Sequence, residues 1–325
     1  MRIPRRRFLR LVASAAVLPA ATRGARGAGY PARRVRLVVG FAAGGTQDTV
    51  ARLIGQWLSE RLGQTFVIEN RPGAGGNIAA ETVVNAQPDG YTLLLVGFSN
   101  AVNATLYDNL GFNFIRDIAP IAGIVRLPQV LEVNPSVPAR TVPEFIDYLR
   151  ANPGKVTFAS AGNGSPNHLA AELFKMMAQV DIVHVPYRGG SAAMADLLGG
   201  HVQAIFESIP VSGEYIKAGK VRALAVTTPR RLPALPDLPP LADLLPGYEI
   251  SGLYGLGAPR NTPADIIDTL NKEINAALTD PAMKRRFDDF GAAVFPGPPA
   301  AFAKLIADET EKWGKVIRAA NIRPE

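Results

Sequence analysis

After Tyr30 the chain alternates between short, continuous apolar runs and longer segments in which apolar residues recur at helical spacing. Residues 35–41 form a largely apolar run, as in a strand buried on both faces. Between Val50 and Leu62 the apolar residues recur at helical spacing. The cycle then repeats, with an apolar run at 66–69, a helical pattern at 78–86 and another apolar run at 91–96. This alternation predicts a parallel α/β sheet with helices on both faces.

A second block of the chain repeats the alternation with different residues. We predict strands at 156–160, 182–187, 202–208 and 221–227, and helices at 167–178 and 191–198. A proline-rich stretch then interrupts the pattern. A strand-like segment follows at 253–258. Three helical patterns come after it, at 263–278, 281–290 and 299–320.

The last three helical patterns need a sheet to cover, and the first block has few predicted helices of its own. We therefore predict two α/β lobes, the first built from 29–127 and 228–325 and the second from 128–227. Such an arrangement requires the chain to cross twice between the lobes. With 325 residues and 47 % hydrophobic content, the chain is long enough for two cores of ordinary size.

Residues 1–28 have the composition of a signal peptide. A basic run ends at Arg10, an apolar stretch covers 11–21, and small residues follow. This pattern predicts export. The segment from Arg5 to Arg10 resembles a twin-arginine signal, although Pro4 stands where Ser or Thr is usual, so the twin-arginine and general secretory routes both stay open.

Charge and composition exclude several classes of function. The formal charge is +7, but seven arginines precede Tyr30 with no acidic residue among them, so the remainder is near neutral and no nucleic-acid partner is expected. The chain has no cysteine, which removes disulfides and thiolate metal sites. The three histidines lack zinc-site spacing, and no nucleotide fingerprint is complete. We therefore expect no cofactor and no metal.

Three glycine-rich segments lie where a predicted strand ends and a helix begins, at 44–48, 72–77 and 160–166. At such an edge of a parallel sheet, ligands bind, and free N–H groups at helix starts favour anions. The third segment is the clearest, because Ser165 is a good N-cap and Pro166 suits the first helical position.

Several single residues allow two interpretations. Ser99 lies in a segment resembling a nucleophile elbow, but Ala101 replaces the last glycine of that motif and no oxyanion-hole motif precedes it. Asp48 either accepts from a ligand hydroxyl, amine or water, or stabilises the start of its helix. His168 either faces a cleft or covers a helix end. Since no catalytic constellation is complete, we predict a binding protein rather than an enzyme.

Motifs along most of the chain resemble one known family. They are Gly44-Gly45-x-x-Asp48, Asn70-Arg71-Pro72-Gly73-Ala74-Gly75-Gly76-Asn77, Pro88-Asp89-Gly90-Tyr91-Thr92-Leu93, Ser160-Ala161-Gly162-Asn163-Gly164-Ser165 with His168-Leu169, and Val185-Pro186-Tyr187-Arg188-Gly189-Gly190. In this respect the chain is similar to the Bug (Bordetella uptake gene) family, the substrate-binding components of tripartite tricarboxylate transporters. The similarity covers about residues 33 to 322.

The resemblance implies a periplasmic binding protein fold of type II, with two α/β lobes around a Venus-flytrap cleft. It implies a small carboxylate ligand, integral membrane transporter subunits as partners, a periplasmic location and, we expect, a monomer. The carried-over ligand-binding residues are Phe41, Gly45, Thr46, Asp48, Ser99, Ser160, Gly164, Ser165, His168 and Tyr187. Ala43 departs from the family, which usually has proline there. Two alternatives remain: a ligand sensor that partners a membrane receptor, and an exported α/β hydrolase using Ser99.

Overall fold

A computed structural model describes residues 29–107, 109–319 and 322–323. The predicted signal peptide, 1–28, lies outside the described residues. Within the described ranges, no helix combines the length and the apolar character needed to cross a membrane.

The secondary-structure elements follow one another as an α/β alternation. In chain order they are β1 (Val35–Val39), α1 (Thr46–Leu62), β2 (Phe66–Asn70), α2 (Asn77–Val84), β3 (Thr92–Gly97), α3 (Phe98–Leu106), α4 (Phe114–Asp117), β4 (Ile118–Pro128), β5 (Val130–Val133), α5 (Val142–Ala151), β6 (Thr157–Ser160), α6 (Pro166–Ala178), β7 (Val183–Pro186), α7 (Gly190–Gly199), β8 (Ala204–Glu207), α8 (Ile209–Lys217), β9 (Arg222–Val226), β10 (Ser251–Pro259), α9 (Ala264–Thr279), α10 (Pro281–Asp289), β11 (Ala293–Val294) and α11 (Pro299–Ala319).

The strands form two sheets. The first has the order β11-β4-β10-β3-β1-β2 and the second the order β7-β6-β8-β5-β9. The parallel pairing predicted from the alternation is found, since β1 runs parallel to β2 and β3, and β6 runs parallel to β7 and β8. Both sheets also contain antiparallel pairs that the alternation does not predict: β10 is antiparallel to β3 and β4, and β5 is antiparallel to β8 and β9. The strands that run against the others are β10 and β11 in the first sheet and β5 in the second, whereas β4, which is antiparallel to β10, runs in the same direction as β3.

Local sequence explains where the helices begin. The side chain of Ser165 accepts a hydrogen bond from the His168 N–H at 3.3 Å, and Pro166 occupies the first position of α6. Helix α1 begins at Thr46, four residues before its apolar pattern starts. Its first turn is polar yet buried, including Gln47 and Asp48. A buried polar helix start indicates that this turn faces a site rather than solvent.

The C-terminal helices pack on the first sheet. Helix α9 contacts β4 and α1, and α11 contacts β4 and α3. Trp313 of α11 is buried and meets the ring of Phe98 edge to face, with centroids 5.2 Å apart. Sheet membership changes between Pro128 and Val130 and again between Val226 and Ser251. The predicted bounds of the two lobes stay a prediction.

The two crossings are joined directly to each other. Gln129 lies in the first crossing and Thr227 at the start of the second, and both are buried. The Thr227 hydroxyl accepts the Gln129 N–H at 2.8 Å and donates to the Ile250 carbonyl at 2.7 Å. The Thr227 N–H donates to the Gln129 carbonyl at 3.0 Å. One threonine therefore pairs the polar groups of both crossings.

We predict that Thr227→Val lowers the free energy of unfolding by about 1 to 3 kcal/mol, because it leaves the buried Gln129 N–H without its acceptor. Urea denaturation measures this change. Thr228→Val is the matched control, since the hydroxyl of Thr228 donates only to the exposed Arg230 carbonyl, and it should change stability by less than about 0.5 kcal/mol. Equal effects of the two substitutions would contradict a special role for Thr227.

Candidate functional site

Four helices begin at one pocket between the two sheets. The pocket is lined by residues from the starts of α1, α3, α6 and α7 together with residues from β8, β10 and the first crossing: Phe41, Gly45, Thr46, Gln47, Gly97, Phe98, Ser99, Gln129, Ala161, Ser165, Pro166, Asn167, Gly190, Glu207 and Tyr254. We call this the inner pocket. Because first-turn N–H groups have no partner within their own helix, four helix starts bring free donors and positive dipole ends to one place.

No lysine, arginine or histidine is among the described residues that line the inner pocket. Its attraction for an anion must therefore come from backbone N–H groups, helix dipoles and hydroxyls. The hydroxyl of Ser99 is buried and has no hydrogen-bond partner. An unpartnered donor in such a place is available to a ligand.

The two sheets touch around this pocket. The hydroxyls of Thr46, after β1, and Ser208, after β8, lie 2.5 Å apart, and the Ala42 N–H donates to the Arg188 carbonyl at 3.2 Å. The inner pocket encloses about 30 Å³, room for one or two water molecules. A small organic molecule can enter only if these contacts open.

A larger groove lies beside the inner pocket and shares Phe41 and Ala161 with it. This outer groove has a volume of about 560 Å³ and is otherwise formed by the glycine-rich loops and by the segment after β7: Pro72, Gly73, Ala74, Gly75, Gly76, Ile78, Tyr107, Gly162, Asn163, Pro186, Tyr187 and Arg188. The Tyr187 hydroxyl donates to Asp196 at 2.5 Å. Burial and the neighbouring carboxylate raise the pKa of Tyr187 to about 12.

The structure brings six of the ten predicted site residues to these cavities. Those at the inner pocket are Phe41, Gly45, Thr46, Ser99 and Ser165, and Tyr187 lines the outer groove. The other four lie behind the lining and hold the loops: Asp48, Ser160, Gly164 and His168.

Asp48 braces the first glycine loop. Its carboxylate accepts the Gly44 N–H at 2.9 Å, the Asn70 amide at 3.1 Å and the Arg52 guanidinium at 2.8 Å. Burial alone would raise the pKa of Asp48, but the hydrogen bonds from Arg52, Gly44 and Asn70 outweigh it and lower that pKa. All of these partners belong to the protein, which favours the structural interpretation of Asp48.

Ser160, Gly164 and His168 belong to a buried stack behind the serine-glycine loop. The ring of His168 accepts the Gly164 N–H at 3.2 Å and stacks on His184 with centroids 4.2 Å apart. His184 in turn lies 2.6 Å from the Ser160 hydroxyl and stacks on Phe158. Burial, with Lys175 nearby, lowers the pKa of His168 to about 4. Burial, His168 and Lys175 lower that of His184 to about 3.

Sequence reasoning missed Glu207 and Tyr254 at the inner pocket. Glu207 is 2 % exposed, and its Oε2 atom has no hydrogen-bond partner. Burial raises the pKa of Glu207 to about 7, although the hydrogen bonds from Ser208 and the nearby polar groups of Asn167 and Thr46 act in the opposite direction. The available signal was an acidic residue at the end of an otherwise apolar strand.

Within the described ranges, no group of three or more His, Cys, Asp or Glu could hold a metal ion.

We predict that the buried histidine stack destabilises the fold in acid. The unfolded chain protonates these rings below about pH 6.5, whereas the folded chain does so only near pH 4 or below. Stability that is present above pH 6.5 is therefore lost as the pH falls. Between pH 7 and pH 4.5, the free energy of unfolding of His184→Gln should therefore fall by about 2 to 3 kcal/mol less than that of wild type. Urea denaturation at both values tests this, with the exposed His201→Gln as control; equal losses in wild type and His184→Gln would contradict it.

Comparisons with known proteins place this geometry in a family. Residues 50–322 match the family model described as "Tripartite tricarboxylate transporter family receptor". The chain is 36 % identical over 292 residues to Protein BugT of Bordetella pertussis, a match that covers 89 % of this chain and 90 % of BugT.

Solved structures agree with the sequence match. The structure of R. palustris Rpa4515 with adipate is similar with a TM-score of 0.89 and 38 % identity, covering 91 % of this chain and all of that one. MatC (Rpa3494) from Rhodopseudomonas palustris with bound malate is similar with a TM-score of 0.84 and 34 % identity, covering 89 % of this chain and all of that one. Both the family match and the two-lobe fold predicted from the sequence are thus confirmed, and the chain belongs to the tripartite tricarboxylate transporter receptor family.

Proposed function

We propose that this protein is a periplasmic solute-binding protein that captures a small carboxylate between its two lobes and delivers it to a transporter of the tripartite tricarboxylate type. The observation that carries the proposal is the convergence of four helix starts on a pocket whose lining, in the part of the chain that the structure describes, includes no cationic side chain. Two structurally similar proteins hold the dicarboxylates adipate and malate, which supports the same ligand class here.

The strength of such a site comes from the number of its donors. Micromolar binding requires about 8 kcal/mol. A single helix start contributes about 0.3 to 1 kcal/mol, or up to about 2 when partly buried, and a hydrogen bond to a charged group about 1.5 to 3 kcal/mol. No single loop is sufficient, whereas several loops acting together are.

The donors come from both sheets, which links binding to closure. Helices α1 and α3 follow strands of the first sheet, and α6 and α7 follow strands of the second. An anion that accepts from all of them holds the lobes together and excludes water, which strengthens each interaction. The remainder of a longer ligand would extend past Phe41 and Ala161 into the outer groove.

Binding without chemical conversion fits the environment of Ser99. Its hydroxyl has no hydrogen-bond partner, and no histidine is among the described residues lining the pocket. A serine nucleophile needs an adjacent base. This environment supports binding over the hydrolase alternative.

The proposed function implies partners in the membrane. Membrane subunits of the transporter would receive the ligand from the closed form, and the protein would act as a monomer.

Export by the twin-arginine route predicts that replacing Arg5 and Arg6 together by lysine leaves the precursor in the cytoplasm. Cell fractionation and immunoblotting measure this. An unchanged periplasmic yield would assign export to the general secretory route instead.

We expect adipate, malate, citrate, benzoate or glutamate to raise the melting temperature of the exported chain, and calorimetry to give the affinity of the tightest binder. Gly190→Ala should weaken that binding by about tenfold or more, because an added Cβ would lie 2.3 Å from Glu207 Oε2 and force this side chain to move. The bound compound should be recovered unchanged by mass spectrometry.

Gly111→Ala is the matched control, since a Cβ there comes no closer than 3.8 Å to another group. Circular dichroism confirms that both variants fold. If folded Gly190→Ala binds as tightly as wild type, the carboxylate lies outside the inner pocket. If none of the five compounds binds, the proposed function is wrong.

A further inference from the structure

Of the two carboxyl oxygens of Glu207, one has hydrogen-bond partners and the other has none. It is the last residue of β8, and Ser208 follows as the N-cap of α8. Its Oε1 accepts the Ser208 N–H at 2.8 Å and the Ser208 hydroxyl at 3.2 Å. Its Oε2 has no hydrogen-bond partner, although the residue is 2 % exposed and lines the inner pocket. A buried polar atom without a partner is unfavourable, so a ligand that supplies the partner is favoured.

Among the described residues around Glu207 there is no positively charged side chain that balances it. The titratable groups that interact with it are Glu132 on β5 and Tyr254 on β10, both acidic. The neighbouring helices α1, α6, α7 and α8 present uncharged groups to it, namely Thr46, Asn167, Gly190 and Ser208. An ionised Glu207 beside a ligand carboxylate would therefore be one of two unscreened anions in a dry pocket, which is unfavourable.

Protonation of one of the two carboxyl groups removes this conflict, because the neutral group becomes a donor to the charged one. We propose that Glu207 binds the ligand in its protonated form, donating the Oε2–H to a ligand carboxylate oxygen, so that each carboxylate is captured together with one proton from solvent. This inference rests on the proposed function. Since the proton adds to Glu207 and no other bond changes, it returns to solvent when the ligand leaves.

The same geometry disfavours a ligand ammonium group at this position. An ammonium would pair with an ionised Glu207, but the positive ends of α1, α3, α6 and α7 surround the inner pocket. The site therefore selects a carboxylate at this end of the ligand. A ligand amino group, if present, would have to lie towards the outer groove.

The pH dependence follows by linkage. In the free protein the pKa of Glu207 is raised to about 7, and a bound carboxylate raises it further. Above pH 7 the free carboxyl ionises while the bound one stays protonated, so binding takes up close to one proton. The affinity then falls by up to about tenfold for each pH unit. Below about pH 6 both forms are protonated and the affinity is constant.

Isothermal calorimetry on the tightest binder among adipate, malate, citrate, benzoate and glutamate tests this between pH 6 and pH 9. Buffers of different ionisation enthalpy count the protons exchanged. We expect an uptake of nearly one proton at pH 8, and an affinity about tenfold weaker at pH 8.5 than at pH 7.5.

Glu207→Gln keeps a neutral donor of the same shape. It should bind at pH 8 at least as tightly as wild type, without proton uptake and without the fall in affinity. Glu132→Gln is the matched control, since it removes the other buried carboxyl of the same sheet face, which does not line the pocket. It should retain the uptake and the pH dependence of wild type.

Binding without proton uptake in wild type, or unchanged uptake in Glu207→Gln, would overturn the inference and leave carboxylate binding intact. Proton release with tighter binding at high pH would instead indicate an ionised Glu207 paired with a ligand cation. If none of the five compounds binds at any pH, the proposed function fails and this inference fails with it.

Discussion

The proposed site depends on one electrostatic constraint: an anion has to be held between two lobes although no cationic side chain is among the described residues that line the inner pocket. Only oriented backbone N–H groups and helix dipoles can then supply the attraction, and each is weak alone. Several strand-to-helix turns must therefore point at the same place. Parallel strands meet this need, because their carboxyl ends lie at one edge of a sheet. Two such edges facing each other give α1, α3, α6 and α7 a common target.

Much of the buried polar chemistry keeps these turns in position. Gln47 accepts the Gly40 N–H at 3.0 Å and donates to the Leu95 carbonyl at 3.2 Å, which ties the ends of β1 and β3 together. Asp48 fixes the Gly44 turn, and His168 fixes the Gly164 turn from the opposite sheet. Asp48 and His168 do not line the inner pocket, yet a donor displaced by 1 Å loses most of its hydrogen bond. The supporting residues are therefore as necessary as the lining.

The sequence predicted those features that short-range chemistry decides. Ser165 and Pro166 mark a helix start from their own conformational preferences, and the glycine turns indicated the edge at which the two cavities lie. Features that need residues distant in sequence were missed. Glu207 enters the site only because β8 lies next to β6 and because α1 and α7 approach from two sheets. His168 and Ser160, which we predict as ligand-binding residues, stack with or contact His184 behind the lining of the inner pocket. The antiparallel strands β5, β10 and β11 could not be foreseen from periodicity, which does not encode strand direction.

A crystal structure with the tightest-binding carboxylate tests the central claim most directly. One carboxylate group should lie in the inner pocket, within about 3 Å of N–H or hydroxyl donors from both sheets, among them Thr46 or Gln47 on one side and Ser165 or Asn167 on the other. The rest of the molecule should extend towards the outer groove. A carboxylate bound only in the outer groove, or held by the loops of one lobe alone, would contradict the account.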